Sequence, residues 1–212
     1  MINLSKIYGI KNFIYASSSS VYGNATSLPS KEDDDTSKPE SFYAASKKCN
    51  EVMAYSYSSI YKLPTIGLRF FTVYGPMGRP DMAIYKFTKL IFSNKSIRLN
   101  NYGKHKRDFT YIDDVTNVIA KLVFYPSKSA IPYQIYNISS NNPINIKQLA
   151  LKISKTLNKK VKIKNTNLQI GDVINTNGSI KKIKNKIGYK PSVLINKGLY
   201  EFINWYKKFV IK

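Results

Sequence analysis

Strand-like and helix-like runs alternate along this chain almost from end to end, and that alternation constrains the fold more than any other feature. Phe13-Ile14-Tyr15-Ala16 reads as a buried strand that ends in the hydroxyl run Ser17 to Ser20. A turn at Gly23-Asn24, an acidic loop from Glu32 to Asp35 and Pro39 follow, and Ser41 has the character of a helix N-cap. A helix is expected from Phe42 to Tyr61 and a strand from Thr65 to Phe70, then a Gly/Pro-rich loop from Phe71 to Pro80. Further on come a helix over Met82–Asn94, a short strand over Ile97–Leu99, a turn over Asn101–Gly103 and an extended stretch over Arg107–Tyr111. A helix from Asp113 to Phe124 and a strand over Gln134–Ile138 follow. Asn145 or Asn141 caps a helix over Ile146–Leu157, and a strand over Val161–Ile163 and helices over Ile180–Ile187 and Asn196–Val210 complete the reading. Such a succession predicts an α/β protein with a parallel sheet.

The long loop between the first strand and its helix matters, because open α/β sheets place chemistry at the carboxyl ends of their strands. That helix carries Tyr43-x-x-x-Lys47. Residues four apart share a helix face. A tyrosine hydroxyl is a poor base at neutral pH, and an ammonium one turn away favours its phenolate. A serine hydroxyl nearby can share the proton, so the set suits removal of a proton from a sugar hydroxyl while hydride leaves the same carbon. The pair alone also fits a surface Tyr and Lys on an amphipathic helix.

Composition narrows the classes. A single cysteine, Cys49, allows no internal disulfide and fits a reducing cytoplasm; its simplest role is a small apolar residue in the helix core. No apolar run is long enough to span a membrane, and the N-terminus has no signal-peptide core. The net charge of +22 comes from 30 Lys and 4 Arg spread along the whole chain, without the aromatic interleaving of a stacking platform. No specific nucleic-acid partner and no membrane partner are expected. His105, the lone histidine, has no metal-ligand company and is placed on a turn, so no metal site is expected. The arginines are more informative, since a planar fork grips phosphate and carboxylate in a way lysine cannot. Arg69, Arg79 and Arg107 lie in distinctive motifs and Arg98 does not.

Six segments, in order, carry a family resemblance: FIYASSSSVYG (13–23), SFYAASKK (41–48), LRFFTVYGPMGRPDMA (68–83), GKHKRDFTYIDDV (103–115), YNIS (136–139) and GDV (171–173). The chain resembles the extended short-chain dehydrogenase/reductases that modify nucleotide sugars, and most closely the UDP-glucuronate 4-epimerases. The resemblance implies the C-terminal part of a Rossmann-like, doubly wound parallel sheet with a smaller α/β substrate-binding lobe. Residues 1–75 would be a partial NAD-binding domain, and residues 76–212 would mix remaining sheet elements with the substrate lobe. It implies NAD as cofactor, a UDP-sugar as substrate, and a possible homodimer through the Tyr43 helix.

Roles follow from the same resemblance. Tyr43 looks like the general base and acid, with Ser18 as the catalytic serine. Lys47 would assist Tyr43 and hold the nicotinamide ribose. Phe71 is the better of Phe70 and Phe71 for contact with the nicotinamide. Ser19 completes the hydroxyl cluster on the substrate side. Thr72 and Arg79 look like the pair that grips a substrate carboxylate, Arg107 the partner of the UDP diphosphate, and Asp172 a contact to uridine or its ribose. Ile170 stands where relatives usually have proline, and Met77 where tryptophan is common. Related dehydratases and decarboxylases carry an acid directly before Val-Tyr-Gly; Ser20 holds that place here, which favours epimerisation. UDP-galactose epimerases usually have asparagine at the position of Thr72 and lack the segment Gly78 to Met82.

That family opens with a Gly-rich turn for the NAD pyrophosphate, and no Gly-x-Gly occurs here. The family's N-terminal Gly-rich half, one βαβαβ unit of ~100 residues before the first strand, is therefore expected to be missing from this chain. Three function classes remain open: a UDP-sugar 4-epimerase for glucuronate or for glucose/galactose, a non-catalytic remnant of one, and a basic module for an anionic polymer.

Overall fold

The computed structural model describes residues 1–25, 27–169 and 173–211. A short helix α1 (Ile2–Ile7) leads into β1 (Phe13–Ser18). The long helix α2 (Phe42–Tyr61) returns the chain to β2 (Thr65–Phe70). Its start is fixed by Ser41, whose hydroxyl accepts from the Ala44 amide at 3.1 Å, as expected of an N-cap. The strand β7 (Tyr133–Ile138) completes a parallel sheet in the order β1-β2-β7. Its register aligns Ser17 with Arg69 and Asn137, and Ser18 with Phe70 and Ile138.

Side-chain alternation gives this sheet two different faces. Ile66, Leu68, Tyr136 and Ile138 point into an apolar core closed by α4 (Ile112–Leu122) and α6 (Lys181–Ile187). The opposite face meets α2 and is polar toward the carboxyl ends of the strands. Gly67, between Ile66 and Leu68 and so on the opposite face, has no room for a side chain, since a Cβ there would lie 2.5 Å from the Tyr15 hydroxyl and from Ile135 Cδ1.

A second core lies away from this sheet. There α3 (Ala83–Phe92), α5 (Ile146–Leu157) and α7 (Ile195–Phe209) pack with β4 (Ser96–Leu99) and with β9 (Lys162–Asn165), its parallel partner. Phe202, Ile91, Leu149 and Ile153 are fully buried in it. Asn145 caps α5, accepting from the Lys147 and Gln148 amides, which settles the choice between Asn145 and Asn141. A two-residue β5 (Lys106–Arg107) pairs with β8 (Ile144–Asn145).

Three expectations change. The loop predicted over Phe71–Pro80 contains β3 (Thr72–Tyr74), paired in parallel with β6 (Phe109–Tyr111). A strand of three residues stabilised by a partner far along the chain leaves no periodic pattern to read. Cys49 is exposed on α2 instead of lying in a helix core, because the buried stripe of α2 runs through Ala44, Glu51, Ala54 and Ser58. His105 is buried at 6% exposure and not on an open turn.

Candidate active site

The carboxyl end of β1, the N-terminal turns of α2 and the segment 70–82 enclose a cleft of 560 Å³. Ser18, Ser19, Tyr43, Lys47, Phe71, Thr72 and Arg79 all line it. The strand end places the serines, and one face of α2 places Tyr43 and Lys47. The Lys47 ammonium donates to the Ala16 carbonyl at 3.2 Å and lies 5.7 Å from the centroid of the Tyr43 ring. Tyr43 is 54% exposed at the mouth of the cleft. Ser18 is nearly buried, and its oxygen accepts from the Ser20 hydroxyl at 2.9 Å and the Ser20 amide at 3.2 Å. With both lone pairs engaged, its own proton is left to donate into the cleft.

Phe71 is mostly buried, its ring 6.4 Å from that of Tyr22 and seated over Gly178. A Cβ at residue 178 would lie 2.5 Å from the Phe71 ring, so glycine is required there for packing. Arg79 stands exposed on the rim in a side-on pair with Asp81, with Nε to Oδ1 at 3.0 Å and Nη2 to Oδ2 at 2.5 Å. The other guanidinium nitrogen, Nη1, is not part of that fork.

Arg107 lies in a neighbouring depression of 290 Å³ that shares Thr72 and Met82 with the main cleft. Its guanidinium donates to the Ile174 carbonyl at 2.9 Å, the Lys106 carbonyl at 3.1 Å and the Val173 carbonyl. Arg107 is thereby tied to Val173, the last residue of the GDV motif, and to Ile174 beyond it. Asp172 itself lies outside the described residues. Among the described residues no group of His, Cys, Asp or Glu is arranged to hold a metal, and no helix is long and apolar enough to cross a membrane.

Sequence reading missed the polar layer under the cleft. Glu51 and Arg69, 2% and 3% exposed, form a bidentate ion pair at 2.8 and 2.9 Å. Ser17 donates to the same carboxylate at 2.6 Å. Burial works to raise the Glu51 carboxyl, but the hydrogen bonds from Arg69 and its charge outweigh burial and hold it below the usual range. Burial likewise works against the Arg69 cation, and Glu51 more than reverses it. Burial pushes the Tyr22 phenol up to about 12 although Arg69 opposes the shift. A signal did exist: Tyr43, Lys47 and Glu51 are spaced by four on one helix, so a glutamate follows the pair along the same stripe.

A cleft at the carboxyl edge of a parallel α/β sheet is where doubly wound enzymes bind their ligands. The family model for NAD dependent epimerase/dehydratases matches residues 1–139, and the chain belongs to that family. It is 42% identical to Protein CapI of Staphylococcus aureus, over all of this chain and 68% of that protein. It is 39% identical to UDP-glucuronate 4-epimerase 1 of Arabidopsis thaliana, over 97% of this chain and 52% of that protein. The solved structure of UDP-glucuronic acid 4-epimerase from Bacillus cereus, in complex with UDP-glucuronic acid and NAD, superposes with a TM-score of 0.90 at 29% identity. That match covers 98% of this chain and 65% of the Bacillus chain. The chain thus spans about half to two thirds of the length of these relatives. The Rossmann-like fold expected from the sequence holds.

Proposed function

We propose that this chain carries the catalytic and sugar-binding residues of an NAD-dependent UDP-sugar 4-epimerase, and that its substrate pair is UDP-glucuronate and UDP-galacturonate. One observation carries the reading: Ser18, Tyr43 and Lys47 share a cleft with Thr72 and Arg79. The first three supply proton transfer, and the last two present a hydroxyl and a guanidinium suited to a carboxylate.

NAD fits the nicotinamide end of this cleft by its donor set, a lysine ammonium and a tyrosine hydroxyl beside the aromatic Phe71. When bound, it would take up a hydride from C4 of the sugar and give it back. Tyr43 takes the proton of the C4 hydroxyl as that carbon is oxidised, and returns it on reduction. Ser18 donates its free proton to the same oxygen and holds it within reach of Tyr43. Lys47, fixed by the Ala16 carbonyl, keeps positive charge beside the phenol ring and offers donors to a ribose. Between the two half-reactions the 4-keto sugar must turn over its other face, and a cleft of 560 Å³ leaves room for a pyranose to rotate. Ser19 bounds the sugar on the strand side. Arg79, oriented by Asp81, meets the C6 carboxylate with Thr72. Arg107 would exchange its carbonyl partners for the diphosphate, and Asp172 would address the uridine.

Residues 1–75 serve the cofactor side of this arrangement, and residues 76–212 combine the rest of the sheet with the sugar-binding lobe. The single exposed Cys49 fits a reducing cytoplasm. Val52, Met53 and Ile60, exposed on α2, suit pairing of two copies through the Tyr43 helix.

The test joins the 212-residue chain to the part of the Staphylococcus aureus relative that lies outside the match. UDP-glucuronate, UDP-galacturonate and UDP-glucose are then supplied with NAD. Interconversion of the two uronates at least about tenfold faster than turnover of UDP-glucose is expected, the scale on which loss of a charged partner acts. Faster turnover of the neutral sugar would overturn the carboxylate assignment.

A further inference from the structure

Arg69 lines neither the main cleft nor the Arg107 depression, yet three parts of the candidate active site converge on its guanidinium. Nε and Nη2 hold both oxygens of Glu51, at 2.8 and 2.9 Å. Glu51 sits on α2 one turn beyond Lys47 and two turns beyond Tyr43, so this fork fixes the rotation of the helix that presents both. Glu51 also receives the Ser17 hydroxyl at 2.6 Å, which anchors β1 at the residue before Ser18. Nη1 donates to the Tyr22 hydroxyl at 2.9 Å, and Tyr22 closes the 3₁₀ turn Ser19–Tyr22 that follows Ser18. The chain is therefore pinned on both sides of Ser18 by one cation. Nη1 donates again to the Glu32 carbonyl at 3.0 Å, and the Tyr22 hydroxyl donates onward to Asn137 at 2.7 Å, carrying the network to β7.

From this geometry we infer that Arg69, acting through Glu51, Ser17 and Tyr22, is a positioning residue that sets the serine-bearing turn and the Tyr43–Lys47 helix in register with each other. The inference rests on the reading of Ser18, Tyr43 and Lys47 as the catalytic set. Arg69 does not line the cleft; it holds the serine-bearing turn and α2 to a common reference, β2. Apolar packing cannot do this as well, because it is non-directional and allows a helix to slide or rotate, whereas a buried bidentate fork has one geometry. Lysine cannot replace it, since one ammonium cannot grip both carboxylate oxygens and reach Tyr22.

The decisive experiment uses the 212-residue chain itself, with Arg69→Lys and the milder Tyr22→Phe, and follows amide hydrogen exchange. In Arg69→Lys, exchange is expected to rise about tenfold or more in residues 19–23 and 43–48 together, and to stay within about threefold in the ladder of β2 with β7. Tyr22→Phe keeps the ring and the ion pair, and should loosen 19–23 while leaving 43–48 unchanged. An even rise across the whole chain would make Arg69 merely structural, and a rise in only one of the two segments in Arg69→Lys would deny the coupling; either overturns the proposal. If Arg69→Lys fails to fold, Tyr22→Phe decides: unchanged exchange in 19–23 overturns it.

In the fused, active form, Arg69→Lys should lower kcat at least about tenfold with KM within about threefold, the signature of lost alignment. Failure of the fused wild-type protein to epimerise uronates would count against the functional reading alone, because the exchange experiment needs no activity.

Discussion

Tyr43 stands half out of the cleft, and the Lys47 ammonium lies 5.7 Å from its ring centroid, anchored from behind by the Ala16 carbonyl. Such exposure suits the proposed acid–base role, in which Tyr43 meets both a sugar and a cofactor. Tyr43→Phe removes the hydroxyl and nothing else, so folding and UDP-sugar affinity should be retained while kcat of the fused enzyme falls at least ~100-fold, the usual scale for a lost acid–base group. Turnover close to wild type would place the base elsewhere. Glu51 behaves differently, being buried and held ionised by Arg69. Its folded-state value lies below its unfolded one, so the unfolded chain takes up the proton first as pH falls. Its stabilisation is complete above ordinary glutamate values near ~4.3 and is lost as pH falls through the folded-state value. Glu51→Gln should cost about 3 kcal/mol at pH 7, because it leaves Arg69 buried without its counter-charge. It should also flatten the decline of Tm below about pH 4.3, since that proton uptake is gone. Parallel acid limbs in thermal melts of the two proteins would contradict the assignment.

At the scale of elements, α2 organises the site, and most of it could be read in advance. Ser41 before an apolar-periodic run marked its start, and Tyr43 and Lys47 marked its working face. Ser41→Ala should therefore cost about 1 kcal/mol, with the loss confined to the first turn. Denaturant titration with an unchanged m-value would check it, and no loss at all would mean the cap hydrogen bond to Ala44 is dispensable. Other elements escaped the sequence for physical reasons. The three-residue β3 exists because β6 lies alongside it, and the 3₁₀ turn after Ser18 is held by Tyr22 reaching Arg69. Both depend on partners distant in the chain, which local periodicity does not encode. The Glu51–Arg69 fork is the same case. The helix spacing shows that Glu51 shares a stripe with Tyr43, but not that β2 brings an arginine beneath it. Phe71 shows the limit from the other side: its motif marked it for contact with the nicotinamide, but not that Gly178 and Tyr22 pack against the ring. Arg79 and Arg107 were visible as motif arginines, but their present partners, Asp81 and the carbonyls of 173 and 174, follow only from the folded chain.

At the scale of the whole molecule, two apolar cores flank a cleft whose lining mixes serines, Tyr43, Lys47 and Arg79 with apolar side chains. The sheet core fixes β1, β2 and β7, and the second core, which includes Tyr74 and Ile84, holds the segment with Thr72 and Arg79. The cleft lies between them, and in the proposed function it is where one carbon of a UDP-sugar is oxidised and re-reduced. Epimerisation by hydride removal and return keeps the C4 hydrogen in the molecule, whereas epimerisation by deprotonation exchanges it with water. The direct measurement supplies UDP-glucuronate deuterated at C4 to the fused enzyme and follows the label by mass spectrometry and NMR. Retention of the deuterium at C4 of UDP-galacturonate, with no uptake from solvent, is the predicted result. Loss of the label to water, or product with solvent hydrogen at that carbon, would contradict it.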